Sequence, residues 1–122
     1  MNEYGRLFKR ETVNLFRHST DFESYPAGQV IFKVGEPGEK MYAVKSGEVE
    51  IIIGDKVIEM AGPGDVLGEM ALIDDSPRSA TAVAISDCQL VPIDKKSFTR
   101  LVHSHPYFAL HVMKQMAKRL RR

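Results

Sequence analysis

The sequence predicts a mainly β fold with flanking helices, in which a small antiparallel β-roll or barrel lies between an N-terminal helix and two C-terminal helices. Apolar residues recur at near-helical spacing within residues 1–19, which indicates one amphipathic helix. Over residues 20–93 they alternate in short bursts separated by glycine turns, a pattern typical of antiparallel strands. The helical period returns over residues 94–122. The 122 residues are therefore expected to form a single domain.

Local patterns define the N-terminal helix and the strands. The helix carries its apolar side chains at Leu7, Phe8, Leu15 and Phe16. In the roll, Val49 and Ile51 share one face of a strand, and Gly54-Asp55 predicts a tight turn into the next strand. A second turn is predicted at residues 62–65, where two glycines flank a proline.

The two C-terminal helices are separated by a proline. Asp94 can cap the first of them, which ends near His105 because a residue before a proline avoids the helical region. Pro106 can occupy the first turn of the last helix, where its missing N–H costs little. The last helix carries an apolar stripe at Ala109, Val112, Met113, Met116 and Leu120. The stripe packs either on the roll or on a twin helix in a homodimer, and the sequence leaves both alternatives open.

Composition excludes several classes of protein. No run approaches the ~20 apolar residues of a membrane span, and the charged start of the chain lacks the apolar stretch of a signal peptide. We therefore expect a cytoplasmic protein that does not contact a membrane. The single Cys88 cannot form an internal disulfide, and its place in an alternating strand predicts a buried, unreactive thiol.

No catalytic or metal-binding constellation is recognisable, so we expect neither an enzyme nor a bound cofactor or metal. The four histidines all lie outside the predicted roll, at His18, His103, His105 and His111. A cupin-type metal centre, which needs imidazoles on the inner strands, is therefore not expected. No serine has a histidine and an acid at recognisable spacing, which argues against a nucleophilic mechanism.

The most specific chemistry lies within residues 62–82. Gly68 lets the backbone approach a ligand closely. Residues 69–73 predict a short helix whose unpaired N–H groups and positive dipole end favour an anion. This part of the chain is therefore a candidate phosphate site.

The residues that follow supply polar side chains for the same ligand. Pro77 ends the short helix, so Arg78 and Ser79 are expected to return past it in an extended strand. The guanidinium and the hydroxyl suit a phosphate diester. The Glu69 carboxylate would repel phosphate but can accept hydrogen bonds from sugar hydroxyls. Together these groups predict a site for a small phosphorylated sugar.

These residues resemble the phosphate-binding cassette of cyclic-nucleotide-binding domains, found in the catabolite-activator and FNR superfamily, in kinase regulatory subunits and in gated channels. The cassette covers residues 67–80 and contains the runs Gly68-Glu69-Met70-Ala71-Leu72-Ile73 and Pro77-Arg78-Ser79-Ala80. Weaker motifs in matching order extend the resemblance from about residue 22 to residue 120. The resemblance implies a double-stranded β-helix, that is, a jelly-roll-like antiparallel β-roll.

The resemblance also implies a ligand, cAMP or cGMP, and a role as a sensor or regulatory module. Glu69 would bind the ribose 2′-hydroxyl, and Arg78 and Ser79 would bind the cyclic phosphate. The backbone cradle implied by the resemblance consists of Gly68, Met70 and Ala71. Ser79 stands where other members carry threonine or alanine, so the choice between the two nucleotides stays open.

Two alternatives compete with nucleotide sensing. Glu69 and Arg78 could form a structural ion pair that closes the cassette without a ligand. The domain could also bind no nucleotide and act as a protein-interaction or dimerisation module of the same fold. The sequence ends about where the DNA-binding helix-turn-helix of related regulators begins, so either it is a piece of a longer protein or its output goes to an unidentified downstream protein.

Charge is distributed unevenly along the chain. The net charge is −7 up to Asp94 and +8 from Lys95 onward. A basic end can bind nucleic acid, but no aromatic stacking platform accompanies it, so nucleic acid is not expected. The basic residues of the last helix are instead expected to be solvated and to complement the helix dipole; they are Lys118, Arg119, Arg121 and Arg122.

Overall fold

Alternating apolar residues build eight antiparallel strands in the computed structural model, which describes residues 3–121, apart from the side chains of residues 3–8. The side chains of Leu7 and Phe8, which the sequence predicted to be apolar contacts of the first helix, are therefore not described. The basic residue Arg122 also lies outside the described residues. The strands are β1 (Glu23–Tyr25), β2 (Val30–Phe32), β3 (Met41–Ser46), β4 (Val49–Ile53), β5 (Lys56–Ala61), β6 (Val66–Leu67), β7 (Thr81–Ala84) and β8 (Cys88–Ile93).

The strands form two four-stranded sheets, with the orders β1-β8-β3-β6 and β2-β7-β4-β5. Strands β4 and β5 form a hairpin through the predicted turn at Gly54-Asp55, whereas most other pairs join strands that are distant in sequence. The two sheets and three flanking helices match the β-roll that the sequence predicted, so the fold class is confirmed.

Strand β3 has two buried faces, because successive side chains of a strand point to opposite sides. Tyr42 and Val44 pack inside the roll, between the sheets. Met41 and Ala43 pack in a second core, against the helices. Cys88 of β8 is buried in the first core, and burial raises the pKa of its thiol, as expected for an unreactive cysteine.

Three helices cover the outer face of the first sheet: α1 (Glu3–Arg17), α2 (Lys95–Ser104) and α3 (Pro106–Leu120). Asp94 caps α2 as predicted, since its side chain accepts a hydrogen bond from the Ser97 N–H at 2.8 Å. Phe108 of α3 joins the helices, with its ring centroid 5.6 Å from that of Phe16 and 5.8 Å from that of Phe98. No helix among the described residues is long and apolar enough to cross a membrane.

The predicted apolar stripe of α3 is divided between two sides of the helix. Val112 is buried in the core beneath α3, and Met116 packs against the same core. Met113 and Leu120 are instead 54% and 77% exposed, and Leu110 is 48% exposed. One side of α3 therefore packs on the roll, and another presents apolar side chains to the outside.

Candidate functional site

A cavity of about 550 Å³ lies between the second sheet, the segment before β7 and the last turns of α3. Its wall includes all six residues that the sequence singled out: Gly68, Glu69, Met70, Ala71, Arg78 and Ser79. The volume falls within the range of about 300–1,000 Å³ that is usual for small-molecule sites. The structure therefore brings the predicted site residues together around one space.

The turn at Gly68 leads the chain into this wall. Gly68 has a φ of 70°, in the left-handed region that favours glycine, and a Cβ here would also meet Nη1 of Arg78. The predicted short helix is a single 3₁₀ turn, Glu69–Leu72, with a much smaller dipole than an α-helix. Its Ala71 N–H already donates to the Gly68 carbonyl at 3.1 Å. The turn therefore offers fewer free N–H groups than the predicted helix would.

Arg78 places a partly buried cation in the wall of the cavity. Its Nη2 donates to the Lys40 carbonyl at 2.8 Å, and its Nη1 to the Gly68 carbonyl at 3.3 Å. The guanidinium carbon lies 4.2 Å from the centroid of the Phe32 ring, a cation–π contact. Nε is buried and has no hydrogen-bond partner in the described part of the chain. Burial lowers the pKa of Arg78, so the group is incompletely solvated and can gain from an anionic partner.

The backbone at Arg78 differs from the sequence prediction. Arg78 and Ser79 lie before β7 rather than within a strand. The Arg78 N–H donates to the Glu36 carbonyl at 2.8 Å, and its carbonyl accepts from the Gly35 N–H at 2.8 Å. These bonds hold the segment against the loop after β2. Ser79 is exposed beside Arg78 and lines the same cavity.

Glu69 is 5% exposed and is paired with an arginine of the last helix. Its Oε1 accepts a hydrogen bond from Nη1 of Arg119 at 2.5 Å. Arg119 also binds both carboxylate oxygens of Glu59, at 2.9 and 2.8 Å, and the Val66 carbonyl at 2.7 Å. Burial alone would lower the pKa of Arg119, but the two carboxylates raise it overall. The guanidinium therefore links α3 to β5, β6 and the 3₁₀ turn.

The position of Arg119 corrects the prediction that this residue is solvated at the helix end. Its side chain is only 18% exposed, because two carboxylates and a carbonyl bind it within the wall of the cavity. The sequence does contain a signal for this placement. Arg119 follows the buried Val112 by seven residues and Met116 by three, a spacing that puts it on the same side of α3.

The alternative of a Glu69–Arg78 ion pair is not realised among the described residues. Glu69 pairs with Arg119, and the hydrogen bonds of Arg78 go to backbone carbonyls. The two groups that the sequence assigned to a ligand therefore do not neutralise each other. An acceptor for sugar hydroxyls and a donor for an anion lie in one wall.

An apolar surface, which the sequence did not single out, completes the cavity. Ile51 and Ile53 of β4, Ile58 of β5 and Leu120 of α3 line it. Such a surface suits a flat apolar group such as a nucleobase. The wall thus combines a cation, a buried carboxylate and an apolar face. Among residues 3–121 no three histidine, cysteine, aspartate or glutamate side chains are grouped to hold a metal ion.

Comparisons with known proteins identify the family of the chain. The sequence model of the cyclic nucleotide-binding domain matches residues 22–105. The chain is 35% identical over 102 residues to the cyclic AMP receptor protein of Thermus thermophilus. This match covers 80% of this chain and 47% of that protein. It is 40% identical over 94 residues to a cAMP-dependent protein kinase regulatory subunit of Eremothecium gossypii, covering 77% of this chain and 20% of that one.

A solved structure extends the likeness to three dimensions. The crystal structure of the Thermus thermophilus catabolite activator protein has a TM-score of 0.70 and 34% identity, and the match covers 91% of this chain and 55% of that one. The chain thus spans about half or less of the relatives that it matches. On the family match, the identities and the shared fold, this chain belongs to the cyclic nucleotide-binding domain family.

Proposed function

We propose that this chain is a sensor module that binds cAMP or cGMP without altering it. One observation carries the proposal: the buried Nε of Arg78 has no partner in the described structure and belongs to a guanidinium in the wall of a ligand-sized cavity. A guanidinium that is partly desolvated and incompletely hydrogen-bonded gains free energy from a charge-assisted contact with an anionic ligand. One relative named above is a cyclic AMP receptor by name and the other is the regulatory subunit of a cAMP-dependent kinase, which supports this class of ligand.

The ligand groups can be assigned to the wall of the cavity by their chemistry. The cyclic phosphate would bind the guanidinium of Arg78 and the hydroxyl of Ser79, with backbone support from Gly68 and Met70. The ribose 2′-hydroxyl would donate to Glu69. The base would lie on the apolar surface of β4, β5 and Leu120. This arrangement uses every polar side chain that the sequence assigned to the site.

The pairing of Glu69 with Arg119 provides a route from the ligand to α3. A ribose hydroxyl that reaches Glu69 meets a carboxylate whose other partner is the last turn of α3. Binding would therefore favour one position of α3, with a coupling free energy of about 1–3 kcal/mol. An attached or associated protein that contacts α3 would receive the signal.

We also propose a homodimer through the outer side of α3. The exposed side chains of Leu110, Met113 and Leu120 recur along one helix with the spacing of an apolar strip. Burial of such a strip against its copy would stabilise a pair of helices. The same strip supports the competing function, a protein-interaction module that binds no nucleotide.

Thermal unfolding in the presence of ligands tests the proposal and separates it from the competing function. A ligand at a hundred times its dissociation constant should add about 2.7 kcal/mol of stability. We expect cAMP or cGMP to raise the melting temperature and 5′-AMP to raise it less, because its phosphate is not cyclised. If neither cyclic nucleotide raises the melting temperature at millimolar concentration, the sensor function is wrong and the interaction module replaces it.

A further inference from the structure

The position of Arg78 depends on the loop between β2 and β3. Two backbone hydrogen bonds and one side-chain hydrogen bond join Arg78 to this loop, at Gly35, Glu36 and the Lys40 carbonyl, each 2.8 Å long. The Phe32 ring, at the start of the loop, lies beneath the guanidinium and stacks on the Tyr42 ring at 6.4 Å. The loop therefore forms one side of the space that the guanidinium fills.

Gly38 is the point of closest approach between this loop and the guanidinium. A Cβ at Gly38 would meet the Cζ and Nε atoms of Arg78, and would lie 2.9 Å from Nη2. Gly38 is not among the glycines with a positive φ, so its backbone does not itself require glycine. What requires glycine here is the space that the guanidinium occupies.

We propose that Gly38 is a positioning residue for Arg78: because Gly38 has no side chain, the guanidinium can stay in the wall of the cavity, where an anionic ligand can bind it. The inference rests on the proposed function and deepens it, because it assigns a positioning role to a residue outside the phosphate-binding cassette. Gly38 itself need not touch the ligand.

A methyl group at Gly38 should move Arg78 without unfolding the domain. The atoms that it would meet form the far end of a flexible side chain, which can swing away at little cost. The guanidinium would then leave its place above Phe32 and lose the bond to the Lys40 carbonyl. The Gly38→Ala variant is therefore expected to keep its stability. It should bind cAMP about tenfold more weakly, which is the lower end of the loss of affinity expected when the charged contact is removed.

Gly62→Ala is the matched control. Gly62 also lacks a positive φ, and a Cβ there meets no atom within 4 Å. Both variants make the same chemical change and restrict the unfolded chain equally. We expect Gly62→Ala to bind cAMP as the wild-type domain does.

A double-mutant cycle with Arg78→Ala decides whether Gly38 acts through the guanidinium. If it does, Gly38→Ala should weaken cAMP binding in the wild-type domain and have no further effect in the Arg78→Ala background. Isothermal titration or competition with a fluorescent nucleotide would measure the four affinities. Equal weakening in both backgrounds, or none in the wild-type background, would overturn the inference while leaving the sensor function intact.

A nuclear magnetic resonance measurement tests the same inference without any ligand. The Phe32 ring should shift the Nε–H signal of Arg78, which is identified by its loss in Arg78→Lys. Gly38→Ala is expected to move this signal toward the position of a solvated arginine, and Gly62→Ala to leave it in place. An unchanged signal in Gly38→Ala contradicts the positioning role. Failure of the wild-type domain to bind a cyclic nucleotide contradicts only the proposed function.

Discussion

Arg119 donates to Glu69 at 2.5 Å in the wall of the cavity, so the last turn of α3 is bonded directly to the 3₁₀ turn of the cassette. The same guanidinium binds Glu59 at 2.8 Å. Arg78, in the same wall, has no carboxylate partner within the described residues. One arginine of the site is thus paired with carboxylates of the protein, and the other is not.

Replacement of Arg119 should lower the stability of the domain. Arg119→Met keeps most of the side-chain volume but leaves the buried carboxylate of Glu69, and that of Glu59, without this cation. Loss of one partner of such a buried pair costs about 3 kcal/mol of unfolding free energy. Urea denaturation at pH 7 measures it. Arg121→Met, at an exposed position, is the control, and equal stability of the two variants would show that the Arg119 pairs contribute little.

Replacement of Arg78 should affect affinity far more than stability. A hydrogen bond to a charged group contributes about 1.5–3 kcal/mol, so Arg78→Ala should weaken cyclic-nucleotide binding by roughly 10- to 150-fold. The cost in stability should be smaller than for Arg119, because the Arg78 guanidinium is partly desolvated and its Nε is unpaired. Calorimetric titration checks the affinity. Arg100→Ala, on the exposed side of α2, should bind as the wild type does, and an unchanged affinity in Arg78→Ala would remove that residue from the site.

Features that depend on neighbouring residues could be predicted from the sequence. The side chain of Asp94 caps a helix through an N–H only three residues away. The turn at Gly54-Asp55 joins two strands, β4 and β5, that follow each other directly in the sequence. The cassette could be recognised for the same reason, since Gly68 and Arg78 are only ten residues apart.

Contacts between distant residues could not be predicted in this way. Arg119 lies 50 residues from Glu69 and 60 from Glu59, and a basic residue near a helix end has a sufficient local explanation in the dipole. Gly38 likewise shows no local sign of its contact with Arg78, which lies 40 residues further along the chain. The short helix was predicted too long because Leu72 ends a 3₁₀ turn, whose hydrogen bonds span only three residues.

Disruption of the outer strip of α3 should produce a monomer. Met113 is 54% exposed at the centre of that strip, and a charge there would be buried in the proposed homodimer. We expect Met113→Glu to sediment as a monomer at concentrations where the wild-type domain is a dimer. Met60→Glu, at an exposed position on β5, should leave the assembly unchanged. A wild-type domain that stays monomeric at millimolar concentration would contradict the homodimer.

His111 is a buried histidine that the sequence placed outside the roll and gave no role. It is 3% exposed, and its Nε2 lies 2.7 Å from the Gly64 carbonyl, which a neutral ring can bind by donating its proton. Burial lowers the pKa of His111 below its usual value of 6.5; Lys9 and Arg119 add to this, whereas the Gly64 bond and Asp65 oppose it.

The buried His111 should make stability decrease on mild acidification. Below about pH 6.5 the histidine of the unfolded state takes up a proton while that of the folded state stays neutral. The unfolded state then binds more protons, so the stability of the domain decreases as the pH is lowered. The loss should continue until the pH reaches the lower pKa of the folded state.

His111→Gln keeps an amide donor for the Gly64 carbonyl but does not titrate. Urea denaturation from pH 7.5 to 5.5 should show a steeper loss for the wild type than for His111→Gln. His103→Gln, at an exposed position of α2, should follow the wild type. Parallel pH profiles for the wild type and His111→Gln would mean that the burial of His111 does not couple its protonation to folding.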